Sequence, residues 1–363
     1  MRQGRNRLKD SEKTNKPVEA GHPFDGPNFR RNDMRVVING FGRIGRTILR
    51  QLLTDPAHQD IDVALINDIA PLETCAYLFK YDSTFGPLPF DVTIEGNSLR
   101  INNRLIPFSD KAELSGADLP ASDVFLECTG KVHSREVAER GSSSGARAVL
   151  ISGPSEFADR AIVLGANEET LGDARIISNS SCTTNAIAPL LKLIDTQFGI
   201  EAAHVSTIHC YTSSQPMVDA PRGDLARSRA GAESMVPTTT SAAKELTKLL
   251  PQIGAKTSVA AVRVPSLSVS AIDATLQLSS ALPDALDAAI LQTIDQSAVI
   301  GCTNDPCVSR DMRERPESLI LALPETQTIG DRQLRLFGWY DNEWGFSARM
   351  IDMARLLAKR HAP

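Results

Sequence analysis

Residues 36–53 read VVINGFGRIGRTILRQLL, and this stretch decides the fold. Its first residues are apolar and β-branched, which suits a short buried strand. RTILRQLL then repeats apolar residues at helical spacing. Between the two, Gly40, Gly42 and Gly45 form G-x-G-x-x-G. In that arrangement the first glycine makes the tight turn, the second lets a pyrophosphate approach the backbone, and the third lets helix and strand pack closely. The free amides of the helix N-terminus then face the phosphates. Alone the motif is weak, and a glycine-rich structural turn is the plain alternative. Context strengthens it. DVALIND, residues 62–68, supplies a second strand and ends on Asp68, near the offset at which a carboxylate takes the adenosine ribose hydroxyls. The same carboxylate would repel a 2′-phosphate, so NAD is the predicted cofactor.

Working outward, further strands are expected at DVFLECTG (123–130), RAVLISG (147–153) and AIVLGAN (161–167). Strands alternating with helical segments imply a parallel sheet. A long helix is expected over NAIAPLLKLIDTQFG (185–199). Longer β-type segments follow at 202–213, 258–280 and 333–341, and SARMIDMARLLAKR (347–360) reads as an amphipathic helix. The expected architecture is an α/β Rossmann-type dinucleotide-binding domain plus an α+β catalytic domain with a mainly antiparallel sheet. The first domain is assigned residues 34–181 plus 343–363, and the second 182–342. Residues 1–33 are polar and rich in mixed charge, and read as a disordered extension before Met34.

The 363 residues carry 23% charged side chains and a net charge of -5, which gives no sign of a nucleic-acid or membrane partner. No apolar run reaches the length of a membrane span. The six cysteines, at 75, 128, 182, 210, 302 and 307, lack the paired spacing of a zinc site, so no metal is expected. With no secretory signal in the sequence, a cytoplasmic, reducing location is expected.

ISNSSCTTNAIAP, residues 177–189, then poses a question. Cys182 could be a packed thiol, a metal ligand or a nucleophile. A free thiol is only about 3% ionised at neutral pH, so a nucleophile needs a helix N-terminus or an imidazole beside it. The helix expected from Asn185 offers the first. His209, in STIHCYTSSQ (206–215), offers the second, although a lone histidine is as often structural. Thr212 and Ser214 follow it. Arg227, Arg229, Thr238 to Ser241 and Arg263 add guanidinium and hydroxyl groups suited to phosphate oxygens.

INGFGRIGR (38–46), KYDSTFG (80–86), SNSSCTTN (178–185), IHCYTSSQ (208–215), VRVPS (262–266) and WYDNEWGFSARM (339–350) occur in that order. Together they resemble the phosphorylating glyceraldehyde-3-phosphate dehydrogenase family, with erythrose-4-phosphate dehydrogenase as its close sister. The resemblance runs from about Met34 to the last helix. It implies a glycolytic-type reaction: NAD-dependent oxidative phosphorylation of glyceraldehyde 3-phosphate to 1,3-bisphosphoglycerate. Cys182 would be the nucleophile that forms a hemithioacetal and then a thioester. His209 would activate it through an ion pair and, with the Cys182 amide, stabilise the oxyanion.

By the same resemblance, Arg43 and Ile44 lie in the turn over the pyrophosphate. Asn342 fixes the nicotinamide carboxamide, and Thr129 completes the cofactor set. Thr212, Ser214 and Arg263 would take the substrate's phosphate. Ser181, Thr183, Arg227, Thr240 and Ser241 would take the attacking inorganic phosphate. Residues from about Tyr211 to Val236 match a loop that packs across a subunit interface, which implies a homotetramer.

The chain departs from the family pattern in places. Ser214 stands for a usual Thr, Ser241 for Gly, Ala186 for a second Cys, and Phe346 for a frequent Tyr. Ala220 and Pro221 match neither the usual NAD-type nor the NADP-type pair, so NADP stays open as a second cofactor. Erythrose 4-phosphate as substrate, and a non-catalytic relative with a binding role, are the alternatives.

Overall fold

The computed structural model describes residues 34–114 and 119–362; the extension read into residues 1–33 lies outside them. The apolar run before the glycines forms β1 (Met34–Asn39), and RTILRQLL lies within α1 (Arg43–Thr54). There follow β2 (Ile61–Asn67), α2 (Leu72–Lys80), β3 (Val92–Ile94), β4 (Ser98–Ile101), β5 (Arg104–Ser109) and β6 (Val124–Glu127). Then come α3 (Arg135–Ser143), β7 (Ala148–Ile151), β8 (Arg160–Ala161) and β9 (Ile176–Ser178). These strands make one sheet in the order β3-β4-β5-β2-β1-β6-β7-β9-β8. From β5 onward every pairing is parallel, while β3, β4 and β5 form an antiparallel meander at one edge. Chain order reverses on either side of β1, and a crevice opens at the carboxyl ends of strands at such a point.

The expected strand over AIVLGAN is nearly absent. Only Arg160–Ala161 pairs as β8, beside β9. The side chain of Asn167 explains the rest. Its Oδ1 accepts from the Val163 amide (2.9 Å) and its Nδ2 donates to the Ala161 carbonyl (3.1 Å), folding the apolar run into turns. Ile162 and Val163 are fully buried all the same, so their apolar character serves packing and not a ladder.

The second half comprises α4 (Cys182–Phe198), β10 (Ile200–Cys210), β11 (Val236–Thr238), α5 (Ala242–Leu249), α6 (Pro251–Gly254), β12 (Thr257–Val264) and β13 (Ser270–Leu278). It continues with α7 (Leu286–Ile294), β14 (Ile300–Thr303), β15 (Leu319–Ala322), β16 (Gln327–Ile329) and β17 (Gln333–Tyr340). Its sheet runs β11-β12-β10-β13-β17-β15-β14, with β16 beside β17. Only β10–β12 and β14–β15 pair in parallel, so the sheet is mainly antiparallel. Alternation sets its faces. In β17, Leu334, Leu336 and Tyr340 turn inward onto Leu190, Leu191 and Ile194 of α4.

The last helix, α8 (Trp344–Arg360), returns to the first core. Phe346, Met350, Met353 and Leu357 pack there with Ile48, Leu49 and Leu52 of α1. Cys182 and Leu164 touch both cores.

The three glycines of the motif differ physically. Gly40 has φ +93°, and a Cβ there would lie 2.6 Å from the Cys128 carbonyl carbon and the Thr129 nitrogen. A Cβ on Gly45 would lie 2.1 Å from the Gly40 oxygen, whereas one on Gly42 meets nothing within 4 Å. Gly45→Ala is therefore expected to destabilise the protein by roughly 1–3 kcal/mol or more through overpacking. Gly42→Ala, which costs only part of a helix-cap preference, should lose about 1 kcal/mol or less. Denaturant unfolding of the two variants checks this, and equal losses would refute the assignment of roles.

Candidate active site

The polar ends of β1, β2 and β6 build the nucleotide side. Asn67 Nδ2 donates to Asn39 Oδ1 (2.8 Å), and Asn39 Nδ2 donates to Glu127 Oε2 (2.7 Å). Glu127 Oε1 then accepts from the Thr129 amide (3.1 Å) and hydroxyl. This chain of buried side chains ties the three strand ends together across the crevice. The sequence reading missed Asn39, Asn67 and Glu127; the only local sign was a polar residue closing each apolar strand.

Asp68 sits at the rim, where its Oδ2 accepts from the Phe41 amide (2.6 Å) and its Oδ1 from the Ala70 amide (2.9 Å). It therefore braces the glycine turn. Gly42 is the N-cap of α1 with no side-chain cap, so the first-turn amides at Arg43, Ile44 and Gly45 have no side chain over them. Open space at Gly42 beside uncapped amides is a cradle that fits a pyrophosphate. The Arg43 side chain turns elsewhere. It donates to Glu343 (Nε–Oε1 3.0 Å, Nη2–Oε2 2.5 Å) and to Asp82, joining α1 to the start of α8. Ile44 packs against the first core.

The helix expected to open at Asn185 begins at Cys182. Ser181 is its N-cap, with Oγ accepting from the Thr184 amide at 3.0 Å. Asn185 instead sits in the first turn, and its Nδ2 donates back to the Asn179 (2.7 Å) and Ser181 (3.0 Å) carbonyls. Cys182 is thus the first helical residue. Its Sγ lies 3.5 Å from His209 Nε2, near the end of β10.

His209 Nδ1 lies 2.7 Å from the Cys210 carbonyl oxygen. In the parallel register of β10 and β12, His209 faces Arg263. Arg263 Nη1 stands 2.5 Å from His209 Nδ1 and 2.9 Å from the same carbonyl. Two tautomers compete for this geometry. With the proton on Nδ1, the ring donates to Cys210 and leaves Nε2 free to take the thiol proton. With the proton on Nε2, Nδ1 accepts from Arg263. Only the first makes His209 a base toward Cys182.

Burial disfavours charge on both partners. It pushes the Cys182 thiol up, against the pull of Arg263 and of hydrogen bonds from Thr183. Burial and then Arg263 push His209 down to about 4. The expected lowering of the thiol by its helix is thus opposed by desolvation, which disfavours charge on both members of the pair. Tyr340, unsuspected from sequence, supports the site. Its hydroxyl bridges Thr183 Oγ1 (3.0 Å) and Thr207 Oγ1 (2.8 Å), and its ring meets that of His209 edge-on at 6.0 Å.

The phosphate candidates fall into two sets. Thr212 and Ser214 bond each other (2.9 Å) in the exposed loop after β10, the strand beside Arg263. Arg227 donates to Thr238 Oγ1 (2.5 Å) and to Thr239 (carbonyl 2.9 Å, Oγ1 3.0 Å). Ser241 is the N-cap residue of α5, and Thr240 Oγ1 accepts from the Ala242 amide (3.1 Å). Buried Glu245 of α5 accepts from Ser180 Oγ (3.2 Å), which anchors α5 to the cysteine loop that holds Ser181 and Thr183. The hydroxyls of Ser181 and Thr183 already serve the helix cap and Tyr340. Among the described residues no group of three or more His, Cys, Asp or Glu could hold a metal ion, and no helix is long and apolar enough to cross a membrane.

Two outcomes are expected from this geometry. Iodoacetamide should alkylate Cys182 fastest of the six thiols, and His209→Asn should slow it at pH 7 by about 100-fold or more, as loss of a general base does; peptide mapping reads both. His209 in the folded state sits below its unfolded value, so the unfolded chain binds the extra proton first as pH falls. Its contribution is intact above about 6.5 and lost down to about 4. Relative to His209→Asn, the wild type should lose up to roughly 3 kcal/mol across that window. A pH-independent difference in unfolding free energy would refute the buried neutral imidazole.

Comparison with known proteins agrees with the two halves of this fold. The family described as glyceraldehyde 3-phosphate dehydrogenase, NAD binding domain, matches residues 34–135. The corresponding C-terminal domain family matches residues 181–342. A glyceraldehyde-3-phosphate dehydrogenase of Xanthobacter flavus is 39% identical over 334 residues, covering 90% of this chain and 99% of its own. Its counterpart in Pseudomonas aeruginosa is 40% identical over 330 residues, covering 90% and 98%. That of Geobacillus stearothermophilus is 36% identical over 335 residues, covering 90% and 99%. The chain therefore belongs to the glyceraldehyde-3-phosphate dehydrogenase family, oxidoreductases whose N-terminal domain binds NAD.

Proposed function

We propose that the protein oxidises and phosphorylates glyceraldehyde 3-phosphate to 1,3-bisphosphoglycerate with NAD, using Cys182 as nucleophile and His209 as its base. The 3.5 Å approach of Sγ to Nε2 at the first residue of α4 carries this reading. Cys182 Sγ attacks the aldehyde carbon while its proton passes to Nε2. The Cys182 amide and the protonated His209 stabilise the oxyanion, which then takes the proton to give the hemithioacetal. When bound, the nicotinamide accepts the hydride of that carbon. His209 removes the hydroxyl proton in the same step and leaves a thioester on Cys182. Inorganic phosphate attacks the thioester carbonyl, the Cys182 thiolate leaves, and an acyl phosphate is released.

Arg263, Thr212 and Ser214 hold the phosphate of the substrate; Arg227, Thr240, Ser241, Ser181 and Thr183 serve the attacking one. Gly42 with the Arg43 and Ile44 amides takes the pyrophosphate, Asp68 the ribose, and Thr129 and Asn342 the nicotinamide side. Asp68, a carboxylate at the rim, favours NAD over NADP. The catalytic unit spans 182–342, and 34–181 with 343–363 form the cofactor unit.

Erythrose 4-phosphate is the competing substrate. Phe346, in place of the family's frequent Tyr, is a residue also seen in the erythrose-4-phosphate enzymes, but it is 5% exposed and packs in the first core, so its identity answers to packing there. The hydroxyls of Thr212 and Ser214 favour glyceraldehyde 3-phosphate, because the erythrose-4-phosphate enzymes tend to lose hydroxyls at these positions. A binding-only role sits poorly with a nucleophile and base in contact.

Self-association is part of the same reading. The segment after β10 leaves Met217 83%, Leu225 90% and Met235 74% exposed in the single chain. Large apolar side chains so placed fit a surface that a second copy covers, in a cytoplasmic homotetramer.

Steady-state kinetics test the reaction. We expect kcat/KM for glyceraldehyde 3-phosphate to exceed that for erythrose 4-phosphate by tenfold or more, turnover to depend on inorganic phosphate, and NAD to be preferred over NADP. Preference for erythrose 4-phosphate, or turnover indifferent to phosphate, would overturn it. Sedimentation velocity tests the assembly: wild type should run as a tetramer and Leu225→Asp as smaller species.

A further inference from the structure

One buried thiol takes no part in the chemistry above, and it lies beside the base. Along β10 the residues 204, 206 and 208 turn away from the core and 203, 205, 207 and 209 turn into it. Cys210 follows the outward register yet is 1% exposed. Its cover includes Asn342, from the residues just after β17, and Ser270, the first residue of β13. Cys210 Sγ lies 3.1 Å from Asn342 Oδ1, and Ser270 Oγ lies 3.3 Å from the same oxygen. The Cys210 amide donates to Ser270 Oγ (3.1 Å).

One assignment of donors and acceptors satisfies all three side chains. Ser270 Oγ accepts from the amide, and its single proton, which could also turn to the Cys210 sulfur, goes to Asn342 Oδ1. Burial pushes the Cys210 thiol up to about 12, so it too carries a proton to donate. Asn342 Oδ1 therefore receives two donors, one for each lone pair. Flipping the amide would turn its NH2 toward a Ser270 oxygen that already accepts the Cys210 amide and toward a thiol sulfur, a weak acceptor, so the bonds it makes would be poorer. The unflipped orientation is thereby favoured from inside the protein. The Nδ2 protons are left for a ligand, which must offer an acceptor there.

We propose that Cys210 and Ser270 are positioning residues for Asn342: by occupying Oδ1 they fix the amide so that its NH2 is what a carboxamide carbonyl of the nicotinamide meets. This rests on the assignment of Asn342 to the nicotinamide. The arrangement also gives β10 two functions at adjacent residues, His209 toward Cys182 and Cys210 toward Asn342. A shift of that strand end would disturb base and cofactor together.

Binding titrations without turnover test it. Dissociation constants for NAD and for ADP-ribose, which lacks the nicotinamide, would be measured by calorimetry on wild type, Cys210→Ala, Cys210→Ser and Asn342→Ala. Losing one buried donor should weaken NAD about three- to tenfold in Cys210→Ala. ADP-ribose should stay within about twofold, which also shows an intact fold. Cys210→Ser, which keeps a donor, should restore NAD affinity. If Asn342→Ala weakens NAD selectively but Cys210→Ala does not, the positioning role is wrong and the nicotinamide assignment stands. If neither variant weakens NAD relative to ADP-ribose, the assignment of Asn342 fails and the proposal with it. Loss of affinity for both ligands in Cys210→Ala, unrelieved in Cys210→Ser, would make Cys210 a packing residue and overturn the proposal.

Discussion

The turn between β9 and α4 is the constraint on which the rest depends. β9 belongs to the parallel sheet and α4 to the second core, so the chain must leave one and enter the other within three residues, 179–181. It does so through Ser180, at φ +52°, a left-handed conformation that a residue with a side chain adopts at a cost of about 1–2 kcal/mol. Three contacts offset that cost. Ser180 donates to the buried carboxylate of Glu245, Ser181 caps α4, and Asn185 reaches back to the carbonyls on either side. The result is a cysteine at the first helical position, in contact with both cores. The proposed nucleophile is thus fixed relative to the packing of both halves.

The electrostatics follow from the same burial. A thiol at a helix N-terminus is usually pictured as acidic, and the local dipole here does act in that direction. Cys182 is enclosed enough that desolvation prevails. His209 is held neutral for the same reason, and Arg263 adds to the effect. Neutrality at rest is compatible with catalysis because a base must be unprotonated before it can take a proton. In the proposed reaction the proton moves between atoms already 3.5 Å apart, with Arg263 set to stabilise the thiolate that results. The same guanidinium acts on the two ends in opposite senses: it favours the sulfur anion and opposes charge on the imidazole.

Much of this was legible in the sequence where the cause is local. The glycines of residues 40–45 state their roles through spacing, and strands β1, β2 and β6 announce themselves as short apolar runs. The cysteine and histidine motifs were recognisable, and the two-layered order of α/β then longer β segments gave the fold class. Failures had non-local causes. AIVLGAN has the composition of a strand, but one asparagine side chain folds it into turns. The helix start was placed three residues late because CTT has poor helix propensity, and Ser181 capping overrides it. The meander β3–β5 is built of short, half-exposed strands with little periodic signal. Arg43 is placed by the resemblance in the turn over the pyrophosphate, but the partner of its side chain, Glu343, lies 300 residues away, and no local pattern shows that ion pair.

The position of Arg43 carries a further consequence for how the halves hold together. Its guanidinium spans Asp82, in the loop after α2, and Glu343, the residue before α8. The Phe85 ring lies beneath it at 5.4 Å and stacks edge-on with Trp344 at 5.1 Å. Gln51 of α1 donates to the Trp344 carbonyl at 2.8 Å. Asp341, its pKa pushed up by burial to about 6, accepts from the amides of Glu314, Glu343 and Trp344 and so fixes the path from β17 into α8. Asn342 lies in the middle of that path. The residue assigned to the nicotinamide is thus held on one side by the Cys210–Ser270 pair of the catalytic sheet. On the other it is held by a segment clamped to the first turn of α1, where the pyrophosphate cradle begins. The first turn of α1 follows a strand of the first sheet and Asn342 follows a strand of the second, and this short clamped segment sets their separation, so the distance between the two proposed cofactor contacts is built into the junction of the two halves.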